Sequence, residues 1–115
     1  MTSNQELPIA VEQQDGMTVV TPDGEIDLSR APSFRTVIAE VFNSTPSKVA
    51  IDLANVPYMD SSGVATLVEG MQLANRAGAT LVLVGMQERV KSIFEIARLD
   101  TVFKIVGELS EAKEL

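Results

Sequence analysis

Between residues 49 and 84 the spacing of apolar residues changes twice, and those changes leave few folds open. Val49, Ile51 and Leu53 alternate with Ala50, Asp52 and Ala54, the period-two pattern of a strand. From Val64 onward, Leu67, Val68, Met71 and Ala74 recur at intervals of three and four, marking one face of a helix. Gly78 is a suitable stop, because glycine readily takes the left-handed conformation that ends many helices. Thr80 to Val84 is then apolar almost throughout, as expected of a strand buried on both faces. A strand, a crossover helix and a second buried strand make a parallel pair, and so an α/β fold.

The flanking segments extend this unit. Ile9 and Val11 open a strand, Asp15-Gly16 supplies a turn, and 17–21 returns as the hairpin partner. Pro22-Asp23-Gly24 breaks the pattern before Glu25-Ile26-Asp27-Leu28. Phe34, Val37, Ile38, Val41 and Phe42 then form a helical stripe, with Asp27 or Ser29 as a cap and Pro32 tolerated in the first turn. Asn43-Ser44-Thr45-Pro46-Ser47 ends that helix. A third helix is expected over 88–98, with Val90, Ile93, Phe94 and Ala97 on one face, and a last strand over 102–105. Residues 1–6 are expected to fray and 108–115 to form a polar tail. The order β-β-α-β-α-β-α-β describes one α/β domain over 7–107, a mixed β-sheet with an N-terminal hairpin and three or so helices packed on it. Gly70 lies inside the second helix, where it costs about 1 kcal/mol relative to Ala. Close packing of helix on sheet is the expected reason, and a flat patch for a partner is the alternative.

Composition narrows the function. At 115 residues, with 45% hydrophobic and 22% charged residues, the chain is the size of one soluble domain. No apolar run approaches the ~20 residues of a membrane span, and no cleavable leader pattern occurs, so a cytoplasmic location and no membrane partner are expected. The absence of Cys and His removes thiolate chemistry, the usual neutral-pH base and the commonest metal ligands. Neither a Gly-x-Ser-x-Gly elbow nor a phosphate-binding loop is present. The expectation is therefore no enzyme, no cofactor and no metal. A net charge of −7 and few aromatics argue against nucleic acid, leaving a protein as the expected partner.

The strand-to-helix corner reads Tyr58-Met59-Asp60-Ser61-Ser62-Gly63. Asp and Ser are common N-caps because their oxygens accept bonds from unpaired first-turn N–H groups. One cap needs only one such residue, and three polar residues followed by glycine exceed that need. A serine here is exposed, lies near the positive end of a helix dipole, and can be modified without disturbing a core.

Taken in order, Gly24-Glu25-Ile26-Asp27, Val49-Ala50-Ile51-Asp52-Leu53, Met59-Asp60-Ser61-Ser62-Gly63, residues 76–84 and the 90–99 helix resemble the bacterial anti-sigma factor antagonists. These are single-domain members of the STAS fold (sulfate transporter and anti-sigma factor antagonist), and the resemblance runs from about Ile9 to Ile105. It implies phosphorylation-controlled partner switching. The unphosphorylated protein binds an anti-sigma factor that is also a serine kinase, freeing the sigma factor; phosphorylation ends the complex, and a serine phosphatase resets it. By match to the motif, Ser62 is the phosphorylated residue. Asp60, Ser61 and Gly63 shape the loop docked on the kinase, and Asp27 adds to the same surface. Two other readings stay open. One is a STAS subunit of a stress-signalling scaffold or lipid-transport complex, and the other is a small enzyme acting through Ser61 or Ser62. Nucleotide binding by the domain has no motif to support it.

Overall fold

The structure, a computed structural model, describes residues 7–115; the expected fraying of 1–6 lies outside the described residues. Two strands, β1 (Ile9–Gln14) and β2 (Met17–Pro22), form the antiparallel hairpin, turned by Asp15 and Gly16 at φ 52° and 79°. Successive positive φ values match the right-handed twist of paired strands, which is why a two-residue Asp-Gly turn fits here. Then follow α1 (Ala31–Asn43), β3 (Lys48–Asp52), α2 (Ser61–Ala77), β4 (Thr80–Val84), α3 (Glu88–Ile96), β5 (Lys104–Val106) and α4 (Leu109–Ala112). The five strands lie in sequence order, β2 to β5 all parallel, so each crossover steps to the next strand in the same direction. Right-handed crossovers taken in one direction place their helices on one face of the sheet. Phe34 and Ile38 of α1, Leu67 and Ala74 of α2, and Val90 and Phe94 of α3 accordingly share one core with Val20, Val49, Ile51, Leu81 and Leu83. Fully burying each Val, Leu, Ile or Phe among them contributes about 1.5–3 kcal/mol.

Gly70 sits in that core. A Cβ there would meet Ile38 Cγ2 at 3.4 Å and Leu81 Cδ2 at 3.9 Å, so it marks the close approach of α2 to α1 and β4. The other sheet face carries Met17, Val19, Ala50, Val82 and Val84, and it is covered by α4 through Ala112 and Leu109.

Several boundaries differ from the sequence reading. Asp27 caps a turn ahead of α1 and not the helix itself, whose N-cap is Arg30 with no side-chain cap bond. The third helix stops at Ile96, since Arg98 adopts φ 63° and Leu99 N–H turns back to Phe94 O at 2.8 Å. The last strand is shifted to Lys104–Val106 because Phe103 turns into the core, edge-on to Phe94 with ring centroids 5.5 Å apart. The 108–115 segment, expected as a polar tail, contains α4, held by a capping box between Glu108 and Glu111. Lys48 Nζ donates to Ala112 O at 2.9 Å and Lys113 O at 3.1 Å, and Lys113 pairs with Asp15 at 3.5 Å.

Candidate functional site

Parallel strands place their C-terminal ends on one edge, where ligands and partners of open α/β sheets commonly sit. Here the loops after β2 and β3 meet at that edge and are joined backbone to backbone. Gly24 N–H donates to Asn55 O at 3.0 Å, Ile26 N–H to Tyr58 O at 3.0 Å, and Asp60 N–H to Ile26 O at 3.1 Å. Ile26 and Met59 form a single parallel bridge, and both side chains are fully buried. Gly63, in the first turn of α2, lies directly on that bridge. A Cβ on Gly63 would meet Ile26 Cγ2 and Met59 Cβ at 3.0 Å and Ile26 O at 3.2 Å. Glycine thus lets the start of α2 close onto the two loops.

Asp60 is the N-cap of α2. Its Oδ1 accepts the Ser62 N–H at 2.9 Å and also the Ser62 hydroxyl, while its Oδ2 accepts the Leu28 N–H at 3.2 Å from the neighbouring loop. Asp27 repeats the local pattern: its Oδ1 accepts Ser29 N–H at 3.0 Å, Ser29 Oγ–H at 2.7 Å and Arg30 N–H at 3.1 Å. The bond from the Ser62 hydroxyl is the main reason Asp60's carboxyl is held below its ordinary value, and the Ser29 hydroxyl does the same for Asp27. Both are ionised at neutral pH.

The five residues singled out from the sequence are therefore gathered on one edge. Asp60, Ser61, Ser62 and Gly63 occupy the cap and first turn of α2, and Asp27 lies on the loop that Asp60 holds. Ser61 is exposed, Ser62 half-buried and Gly63 buried. Thr66 Oγ1–H donates to Ser62 O at 2.9 Å, one turn further along.

Sequence reasoning missed the apolar surroundings. Leu28 is 76% exposed beside this cluster. An open groove of about 380 Å³ lies between α2 and α3, lined by Tyr58, Asp60, Ser61, Val64, Ile93 and Ala97. The Arg89 guanidinium lies 5.3 Å from the centroid of the Tyr58 ring. The only sequence signal for Leu28 was an apolar residue between two polar ones in a loop, and nothing local in the sequence pairs α3 with Tyr58. Among the described residues, no three Asp or Glu carboxylates gather as a metal site.

The family model for the STAS domain matches residues 8–112. An anti-sigma-B factor antagonist of Staphylococcus epidermidis is 28% identical over 99 residues, covering 86% of this chain and 92% of the relative. The crystal structure of an anti-sigma factor antagonist from Mycobacterium paratuberculosis has a TM-score of 0.86 at 25% identity, covering 97% of this chain and 95% of its own. A Thermotoga maritima protein assigned to the same class has a TM-score of 0.87 at 25% identity, covering 92% of each chain.

Proposed function

The chain belongs to the STAS domain family, and on that premise we propose that it is an anti-sigma factor antagonist controlled by phosphorylation of Ser62. In this reading the unphosphorylated protein binds an anti-sigma factor that is also a serine kinase, and so releases a sigma factor. Phosphorylation separates the pair, and a serine phosphatase restores the binding form. The protein is a substrate and a binding module in the cytoplasm, and its relatives carry the name of regulators. Among the described residues, no helix is long and apolar enough to cross a membrane.

The observation that carries the proposal is the placing of the Ser62 hydroxyl. It lies in the first turn of α2, at the seam of two joined loops, bonded to the Asp60 carboxylate that ties the exposed Leu28 loop. Asp60 and Ser61 line the apolar groove beside α3. Asp27, Asp60, Ser61 and Gly63 shape the same docking surface. Phosphate adds about −1.5 to −2 charges at pH 7. In the free protein, first-turn N–H groups and the helix dipole offset much of that charge. Against a partner closed over Leu28 and the groove, the phosphate loses water and meets a surface fitted to a neutral hydroxyl. The bound state is penalised more than the free one, and no change of fold is needed.

Incubation with ATP and the cognate kinase, followed by fragmentation mass spectrometry, tests the assignment. Phosphate on Ser62 is expected; phosphate mainly on Ser61 or Thr66 would overturn it.

A further inference from the structure

Ser61 and Ser62 are neighbours in the first turn of α2, yet their hydroxyls differ in one respect. The Ser62 hydroxyl donates to Asp60 Oδ1, whereas among the described residues the Ser61 hydroxyl has no such acceptor. Backbone N–H groups also hold the Asp60 carboxylate, besides the Ser62 hydroxyl. Oδ1 is held by the Ser62 N–H at 2.9 Å, Oδ2 by the Leu28 N–H at 3.2 Å, and the residue's own N–H is tied to Ile26 O at 3.1 Å. Gly63, packed on Ile26 and Met59, lets the first turn of α2 close onto the two loops, which backbone bonds join. The carboxylate thus faces the Ser62 oxygen whether or not the hydroxyl points to it.

We propose that Asp60 accepts the hydroxyl proton of Ser62 during phosphoryl transfer, and that this selects Ser62 over Ser61. The inference rests on the switching role proposed above, with a nucleoside triphosphate supplied by the partner kinase. Ser62 Oγ attacks the γ-phosphorus. The Oγ–P bond forms while the bond from that phosphorus to the bridging oxygen breaks, and the nucleoside diphosphate leaves with that electron pair. The Oγ–H bond breaks, the proton passes to Asp60 Oδ1, and water then takes it. A carboxylate with lowered proton affinity suffices, because the serine proton becomes strongly acidic as the O–P bond forms. Protein kinases use an aspartate in this way, supplied from their own catalytic loop. Here the substrate would bring its own.

Asp60→Asn keeps the cap through its one amide oxygen and does not take up a proton, although its amide nitrogen cannot accept the Leu28 N–H as Oδ2 does. With ATP and the partner kinase, kcat should fall on the order of 100-fold, the lower end for proton-transfer catalysis, with KM changing much less. A larger share of the residual phosphate should appear on Ser61. Asp60→Ser, a second capping residue without a base, should show the same loss, and circular dichroism should show both variants folded. Phosphorylation of Asp60→Asn on Ser62 at the wild-type kcat would overturn the inference and leave the switching role standing. So would a loss confined to KM, which would make Asp60 a docking contact only. Failure of the wild-type protein to be phosphorylated on Ser62 would overturn both.

Discussion

Asp60 does three jobs with one carboxylate: it caps α2, holds the Ser62 hydroxyl and ties the Leu28 loop. The capping part was legible in the sequence, because Asp before a helical stripe is a local signal. The tie to Leu28 was not, since it joins residues 32 apart and depends on the loops meeting at one sheet edge. Asp27 shows the same limit: its acid-plus-serine pattern reads as a helix cap, but the chain takes one further turn before α1 begins. These bonds make stability depend on pH with a definite sign. A carboxyl whose folded-state pKa lies below its unfolded value stabilises the fold at pH above the unfolded value, and the gain is lost as pH falls through the folded value. For Asp60 that window lies below the ordinary value of 3.8. Urea denaturation should show Asp60→Asn less stable than the wild type at pH 7, because its amide nitrogen cannot accept the Leu28 N–H. Below pH ~4 the wild type should lose stability faster than the variant. Parallel pH profiles would show that Asp60's bonds add nothing to the fold.

Within α2, two glycines have opposite meanings. At Gly63 a methyl would strike Ile26 Cγ2 and Met59 Cβ at 3.0 Å, and both are fixed by the bridge beneath. Gly63→Ala should cost about 1–3 kcal/mol as overpacking and weaken partner binding by moving the loops apart. At Gly70 the nearest atoms, Ile38 Cγ2 at 3.4 Å and Cδ1 at 3.8 Å, leave ordinary contact for a methyl. Gly70→Ala should therefore keep most of the ~1 kcal/mol of helix propensity and raise the denaturation midpoint. A stabilised Gly63→Ala, or a destabilised Gly70→Ala, would contradict these contacts. Element ends were legible where chemistry marks them. Gly78, at φ 69°, ends α2, with Ala79 N–H returning to Ala74 O at 2.9 Å. The end of α3 was hidden because Arg98 takes the left-handed position that glycine takes in α2. The helix α4 was hidden because only Leu109 and Ala112 mark its apolar side.

At the scale of the whole molecule, three crossovers fill one face of the sheet and leave the other to a single short segment. The parallel order followed from the apolar run 80–84 and the alternating strand 49–53, but nothing local showed how the second face would be covered. The segment around α4 covers it, fastened by Lys48 at the Ala112 carbonyl and by Lys113 at Asp15. Ala112→Asp should bury an unpaired polar group at the cost of at least about 2 kcal/mol. It should also raise amide exchange in α4 and at Val19 and Val82; unchanged exchange would mean that Ala112 does not hold the cover. The proposed docking surface lies at the strand C-terminal edge and on the α1–α3 side, so partner binding should not depend on this cover. What binding should depend on is the charge state of Ser62. The most direct measurement is calorimetric titration of the anti-sigma partner with unphosphorylated protein and with protein fully phosphorylated on Ser62. An unpartnered charge in the interface costs on the order of 2–5 kcal/mol, so affinity should fall roughly 30-fold to several thousand-fold with the fold unchanged. Equal affinity of the two forms would contradict the switch.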